Sequence, residues 1–258
     1  MSHCTIRAAT HSDLPTLADW LGRSFDLPTN AHEHLLMVAS SDPAHTLHAT
    51  LRLLPAIGLR LPRVSYHVGC TVHAAAELGL FHRQRTLLLG HDHTGASELA
   101  DIAWLQGEVP LAEQALALRR LLDHALSVLR QARPHYADRL IAELPGPRDS
   151  AGQSPFWHGL GRHFYRGDPA AALATHGLAW RSHVASLLPR HLLYTSFLPA
   201  TAEGVIAQVQ ESALVLREAL EDAGLRYSHH INVEDGGPVL EAEIDDLPGV
   251  RQGQKQQR

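Results

Sequence analysis

Cysteine is almost missing: only Cys4 and Cys70 occur in 258 residues. Two thiols cannot build a disulfide framework, and no cysteine pair sits at metal-ligand spacing. Their scarcity fits a reducing compartment. There is no basic excess either. The 22 Lys and Arg residues face 27 Asp and Glu, a formal net charge of -5, so nothing draws the chain generally toward nucleic acid or an anionic membrane. No apolar run is long enough to span a bilayer, and the first residues, Met1 to Asp13, carry no apolar core of a secretory signal. A cytoplasmic protein is expected. Aromatic residues make up 5% of the chain, but 45% of it is hydrophobic and the mean hydropathy is -0.13, enough for a buried core in a soluble globule.

Histidine is the exception to this ordinary composition, with 20 copies. The tightest cluster is His91-Asp92-His93, where strand alternation would put only His91 and His93 on one face. No helix carries a His-x-x-x-His pair with a glutamate base. No metal site is therefore expected, and the histidines read mainly as polar surface residues.

Along the chain, strand-like and helix-like segments alternate. Thr5 to Ala8 reads as a strand, followed by a helix capped by Ser12 or Asp13, with Leu14, Leu17 and Leu21 at helical spacing. Ala31 to Val38 reads as a second helix, and Thr46 to Leu54 and Arg63 to Val72 as strands. Thr86 to Leu89 is a short apolar run closed by Gly90. Glu98 to Leu105 follows as a central strand. Leu111 to Ala132 is a long amphipathic helix ended by Pro134, and Arg139 to Leu144 a buried strand. Ser154-Pro155 opens a short helix to Leu160. Val184 to Leu188 reads as a strand and Thr201 to Val209 as a helix. Ser212 to Ala223 is a helix closed by Gly224. Tyr227 to Val233 and Val239 to Ile244 are strands joined through Asp235-Gly236-Gly237-Pro238. Phe156, Trp157, Phe164 and Tyr165 read as packing residues. The class is α/β or α+β with a mixed sheet. One domain is expected over 1–248, with a possible division into lobes of about 1–150 and 151–248. The Gln-rich stretch 249–258 is expected to be disordered.

Several blocks carry a resemblance. They are His91-Asp92-His93-Thr94-Gly95-Ala96-Ser97-Glu98-Leu99; Ile141-Ala142-Glu143-Leu144; Gly152 through Phe164; Leu188-Pro189-Arg190-His191; Ile206-Ala207-Gln208-Val209; and Asp235-Gly236-Gly237-Pro238. In this order they resemble the arginine N-succinyltransferase family, as do Tyr66-His67-Val68-Gly69 and Glu77-Leu78-Gly79 earlier. The resemblance runs roughly from Thr5 to Ile244. It implies the Gcn5-related N-acyltransferase fold, a mixed, splayed β-sheet flanked by helices with the acyl-CoA lying in the splay. It also implies succinyl-CoA as cosubstrate with no bound cofactor, the α-amine of arginine as acceptor in arginine catabolism, and association with itself or with a homologous chain. Ornithine against arginine is left open.

Site residues transfer unevenly. Ile102 matches the position where the family contacts the acyl donor. Glu98 and Asp92 lie in the shared blocks, where they would either meet a cationic substrate or serve as strand-end and turn structure. The family's proton-donating histidine follows a Gln-Val pair, but here Gln208-Val209 is followed by Gln210, whose amide holds a hydrogen bond and moves no proton. His191, His229 and His230, or Tyr165 and Tyr194 as the thiolate's acid, are the candidate replacements. The joint before the long helix, Leu105 to Glu113, keeps only Gly107 where a glycine-rich phosphate turn is usual, and adds Glu108 and Pro110. These departures support a second reading, a non-catalytic homologue serving as a partner subunit or binding protein. A third is an acyltransferase with another donor or amine.

Overall fold

The computed structural model describes residues 5–24, 26–28, 33–39, 46–105, 109–177 and 179–248. Its first elements are β1 (Thr5–Ala8), α1 (Leu14–Leu21), β2 (His34–Ala39), β3 (Leu47–Leu54), β4 (Ser65–Ala75), β5 (Leu80–Gly90) and β6 (Ser97–Trp104). Then come α2 (Leu111–Gln131), β7 (Arg139–Glu143), α3 (Pro155–Gly159), α4 (Pro169–His176) and α5 (Ala179–Ala185). The chain continues through β8 (Leu193–Tyr194), α6 (Ala200–Gly204), α7 (Leu214–Asp222), β9 (Arg226–Ile231) and β10 (Pro238–Glu243). The ten strands form one sheet in the order β1-β2-β3-β6-β7-β10-β9-β4-β5-β8. All neighbours are antiparallel except β6 and β7. This is the mixed α/β architecture expected. Strands from beyond residue 151, β9 and β10, lie between β7 and β4, so a single sheet crosses the boundary between the two suggested lobes.

The main core forms where α2 lies on the sheet. Leu118, Leu121, Leu122, Ala125 and Leu129 recur at helical spacing and bury against Leu51, Leu53, Leu99, Leu140 and Leu240. The neighbouring α7 adds Leu216 and Leu220. A second core joins Tyr66, Leu87 and Ile231 of the sheet to Phe156, Trp157, Trp180 and Val184 of the helices.

Four local expectations need correction. Ala31 to Val38 is not a helix: residues 34–39 are β2, hydrogen-bonded between β1 and β3, with Met37 and Val38 fully buried. A short apolar run satisfies either period, and here the open strand edges on both sides decide. Residues 31 and 32 lie outside the described residues. Val184 to Leu188 is not a strand: α5 runs through Ala185, and Trp180 and Val184 are buried one turn apart on its inner face. The run Thr86 to Leu89 is only the end of an eleven-residue strand, extended because β4 supplies a partner along its whole length. The helix expected from Thr201 to Val209 stops at Gly204. Positions 249–258 and 106–108 are outside the described residues, as is Cys4, whereas Cys70 is exposed and free.

Candidate functional site

The parallel pair β6–β7 is joined at only two positions, Ser97↔Leu140 and Glu98↔Ile141. Beyond Glu98 the two strands part. On the β6 side a bulge sets Asp101 and Ile102 against the single residue Leu51, between the pairs Arg52↔Ala100 and Thr50↔Ala103. Asp101 takes a left-handed φ of 51°, uncommon for a residue with a Cβ, and is held there by Arg23 and by Arg52, whose Nε lies 3.1 Å from Oδ2. On the β7 side Pro145 ends the strand. The turn beyond is pinned from below. Asn232 Nδ2 donates to Leu144 O at 3.2 Å, and Gly237 comes so close that a Cβ would stand 2.1 Å from the same oxygen. The gap is a cleft of about 340 Å³, a size that holds a small ligand.

Glu98 at its floor and Ile102 on its wall both line this cleft. So do four charged residues that the sequence reading did not single out: Arg63, Glu143, Arg181 and Glu234. They form one buried ionic network. Arg63 donates to Glu98, and from Nε to Glu143 Oε1 at 3.0 Å; Arg181 donates to Glu143 Oε2 at 3.0 Å and to Glu234. Two guanidinium groups therefore face three carboxyl groups, one more than two cations balance when all three are ionised. Burial pushes the Glu98 carboxyl up to about 7 against the pull of Arg63. Glu234 is likewise raised by burial, opposed by Arg181. Burial would raise Glu143 too, but two arginines touch it and hold it below its ordinary value. Arg148 extends the network at the rim, 3.4 Å from Asp235. The indole of Trp180, 4% exposed, closes one wall with its N–H unpartnered.

Asp92 does not line the cleft. It lies on the turn between β5 and β6 with its carboxylate 3.5 Å from His230 Nε2. Strand register explains what surrounds it. The pairs Glu98↔Ile141↔Glu241 and Glu143↔Val239↔His230↔His67 put these side chains on one sheet face. His93, 1% exposed, covers that face at a ring distance of 4.5 Å from His230, with Nε2 3.4 Å from Glu241. Burial, and then His230, hold His93 below its ordinary pKa. Among the described residues no group of three or more His, Cys, Asp and Glu could hold a metal ion.

Gln210 is outside the lining as well, but it touches the rim. Its backbone N–H donates to Pro145 O at 2.9 Å and its Oε1 accepts the Arg148 N–H at 2.8 Å. Of the candidate replacements for a proton carrier, His230 belongs to the histidine group, His229 sits in the β9 bulge with φ 59°, and His191 is exposed. Tyr165 stacks near Trp180 at 6.2 Å, and Tyr194 is on β8. Phe156 and Trp157 are core residues. The signals for the missed charges were faint. Glu143 is the one acidic residue in an apolar strand, and Arg181 lies in the first turn of α5, where the sequence pattern gives no element.

A helix-flanked sheet that opens between its two parallel strands, above buried carboxylates, defines the class: a protein with the Gcn5-related N-acyltransferase-like fold. Comparison with known proteins agrees. The family model described as arginine N-succinyltransferase beta subunit matches residues 10–248. An arginine N-succinyltransferase of Salmonella arizonae is 33% identical over 228 residues, covering 88% of this chain and 65% of the relative. One from Yersinia enterocolitica is 37% identical over 196 residues, covering 76% and 56%. The solved structure of arginine/ornithine succinyltransferase subunit AI from Pseudomonas aeruginosa superposes with a TM-score of 0.77 at 22% identity, over 98% of this chain and 80% of that one, a likeness of fold. The chain belongs to the arginine N-succinyltransferase beta subunit family. It spans 65% of the length of its Salmonella arizonae relative.

Proposed function

We propose that this chain transfers the succinyl group of succinyl-CoA to the α-amine of arginine. The observation that carries the reading is the opening of β6 from β7 immediately after Glu98, over a network with one carboxylate more than it has cations. A thioester laid along β6 would bring its carbonyl to the bulge at Asp101 and Ile102, where two residues share one partner and main-chain groups are spared from the ladder. A cationic acceptor suits the third carboxyl group, which two arginines leave without a cation of its own when it ionises. Glu98, poised about 7, is the group to take a proton from the α-ammonium. The free amine then attacks the thioester carbon, the C–S bond breaks as the amide forms, and the proton shed by the amide nitrogen goes to the departing CoA thiolate. Gln210 stands where the family has its histidine and cannot serve.

The family name and the relatives' names support arginine as the acceptor and succinyl as the group transferred; succinyl-CoA as the donor belongs to this proposal. Association with itself or with a homologous chain is supported by the family's description as a beta subunit. Among the described residues no helix is long and apolar enough to cross a membrane. The scarcity of cysteine supports a cytoplasmic place of work.

Thiol release tests the proposal. Purified protein with succinyl-CoA should liberate free thiol when arginine is added, and calorimetry should register succinyl-CoA binding. Binding without release would make the chain a non-catalytic binding subunit. Absence of both would remove the transferase reading.

A further inference from the structure

Beside the cleft lies a second hollow of about 280 Å³ that shares Arg148 and Pro169 with it. Its walls carry Arg148, Arg162 and Arg166 with His158, against one acid, Asp168. That carboxylate is already committed, accepting the Ala171 N–H at 2.9 Å as the cap of α4. In a chain whose net charge is -5, three guanidinium groups with one engaged acid make a local field of the opposite sign. Their donors are not used up. Arg148 spends one on Gly152 O at 3.1 Å and reaches Asp235 only at 3.4 Å; Arg162 shares a contact of 3.1 Å with His158 Nδ1; Arg166 has no hydrogen bond or ion pair among the described residues. A second, independent sign comes from Trp157. It lines the same hollow, is 4% exposed, and its indole N–H has no acceptor. A buried donor without a partner is costly, and an anion would repay it.

We propose that this hollow is a phosphate-binding subsite for the nucleotide end of the acyl-CoA. The inference rests on the transferase reading and deepens it. Guanidinium forks pair with phosphate oxygens two at a time, which a thioester's pantetheine arm cannot use but its nucleotide can. The position is continuous with the cleft through Arg148. It also relocates a task for which the sequence at Leu105 to Glu113 is badly suited, since that joint has one glycine, a proline without an N–H and a repelling Glu108.

The test is direct binding, which does not need turnover. Adenosine 3′,5′-bisphosphate is titrated into the full chain by calorimetry, with inorganic phosphate and succinate as separate arms, at low and raised salt. The wild type should bind the bisphosphate, more weakly as salt rises. The double variant R162Q/R166Q should lose about tenfold or more of that affinity. Both side chains are exposed, so the variant should keep the wild-type melting temperature, and R162K/R166K should recover part of the binding. Equal affinity in wild type and R162Q/R166Q would overturn the proposal, as would absence of bisphosphate binding. Phosphate or succinate binding as tightly as the bisphosphate would also overturn it, making this a general anion site. The transferase reading fails separately, in the thiol-release assay, and a bisphosphate that still binds would then leave a nucleotide site without that chemistry.

Discussion

Replacing Glu98 by glutamine removes one carboxyl from the floor of the cleft and leaves its shape. Arg63 is not stranded, because Glu143 stays 2.9 Å away. Two effects of opposite kind follow. In the wild type the folded protein holds the Glu98 proton up to about pH 7, whereas the unfolded chain releases it near the ordinary carboxyl value of 4.5. Between those values the unfolded state binds fewer protons than the folded state, so wild-type stability falls as pH rises. The loss is complete just above pH 7 and is on the order of 3 kcal/mol. Glutamine has no such proton. The stability of E98Q relative to wild type should therefore climb from pH 5 to pH 8, read as a diverging urea midpoint. Activity should move the other way. Loss of the base should cost about 10²–10⁴ in kcat, and the rising limb of the pH–rate profile near 7 should vanish. A stability difference that stays flat with pH, together with a wild-type rate, would refute both the buried carboxyl and its role.

Placing histidine at 210 should raise turnover about tenfold or more, with a pH dependence near 6.5; an unchanged thiol-release rate would take that position out of the chemistry. Leu121→Ala empties a fully buried site between α2 and the sheet and should cost about 2–5 kcal/mol in chemical denaturation. The His93 pKa is held below its ordinary value by burial and by His230, against the opposing pull of Glu241 and Glu143. An unfolded histidine takes up its proton below about 6.5, so this residue's contribution to stability is present above that pH and lost as pH falls. His93→Asn should flatten the fall in urea midpoint between pH 7 and pH 5, and an equal slope in both proteins would contradict the assignment.

Some of this was legible without coordinates. The long helix α2 declares itself because an apolar stripe of period 3.6 persists over 21 residues and only one face of it can be buried. The Ser-Pro start of α3 and the Gly224 stop after α7 are local chemistry, and Ser154 does cap, accepting the Trp157 N–H at 3.0 Å. The strand expected from Glu98 to Leu105 is β6, which carries both Glu98 and Ile102. β2 was not legible, because six residues with few polar breaks fit a helix turn as well as a strand, and its two neighbours in the sheet make the choice.

The sequence by itself determined the composition, the alternation of strands and helices and the blocks of kinship, since these depend on residue type and on neighbours a few positions away. The tertiary structure alone decided the site. Arg63, Glu98, Glu143, Arg181 and Glu234 come from five separate stretches of chain and acquire meaning only when the sheet brings them within hydrogen-bonding reach. Asp92 shows the same in reverse: five residues before β6 in sequence, it turns toward His230 and not into the cleft. Charges can be read along a line, but burial, which raises Glu98 and makes an uncompensated carboxylate expensive, exists only in three dimensions.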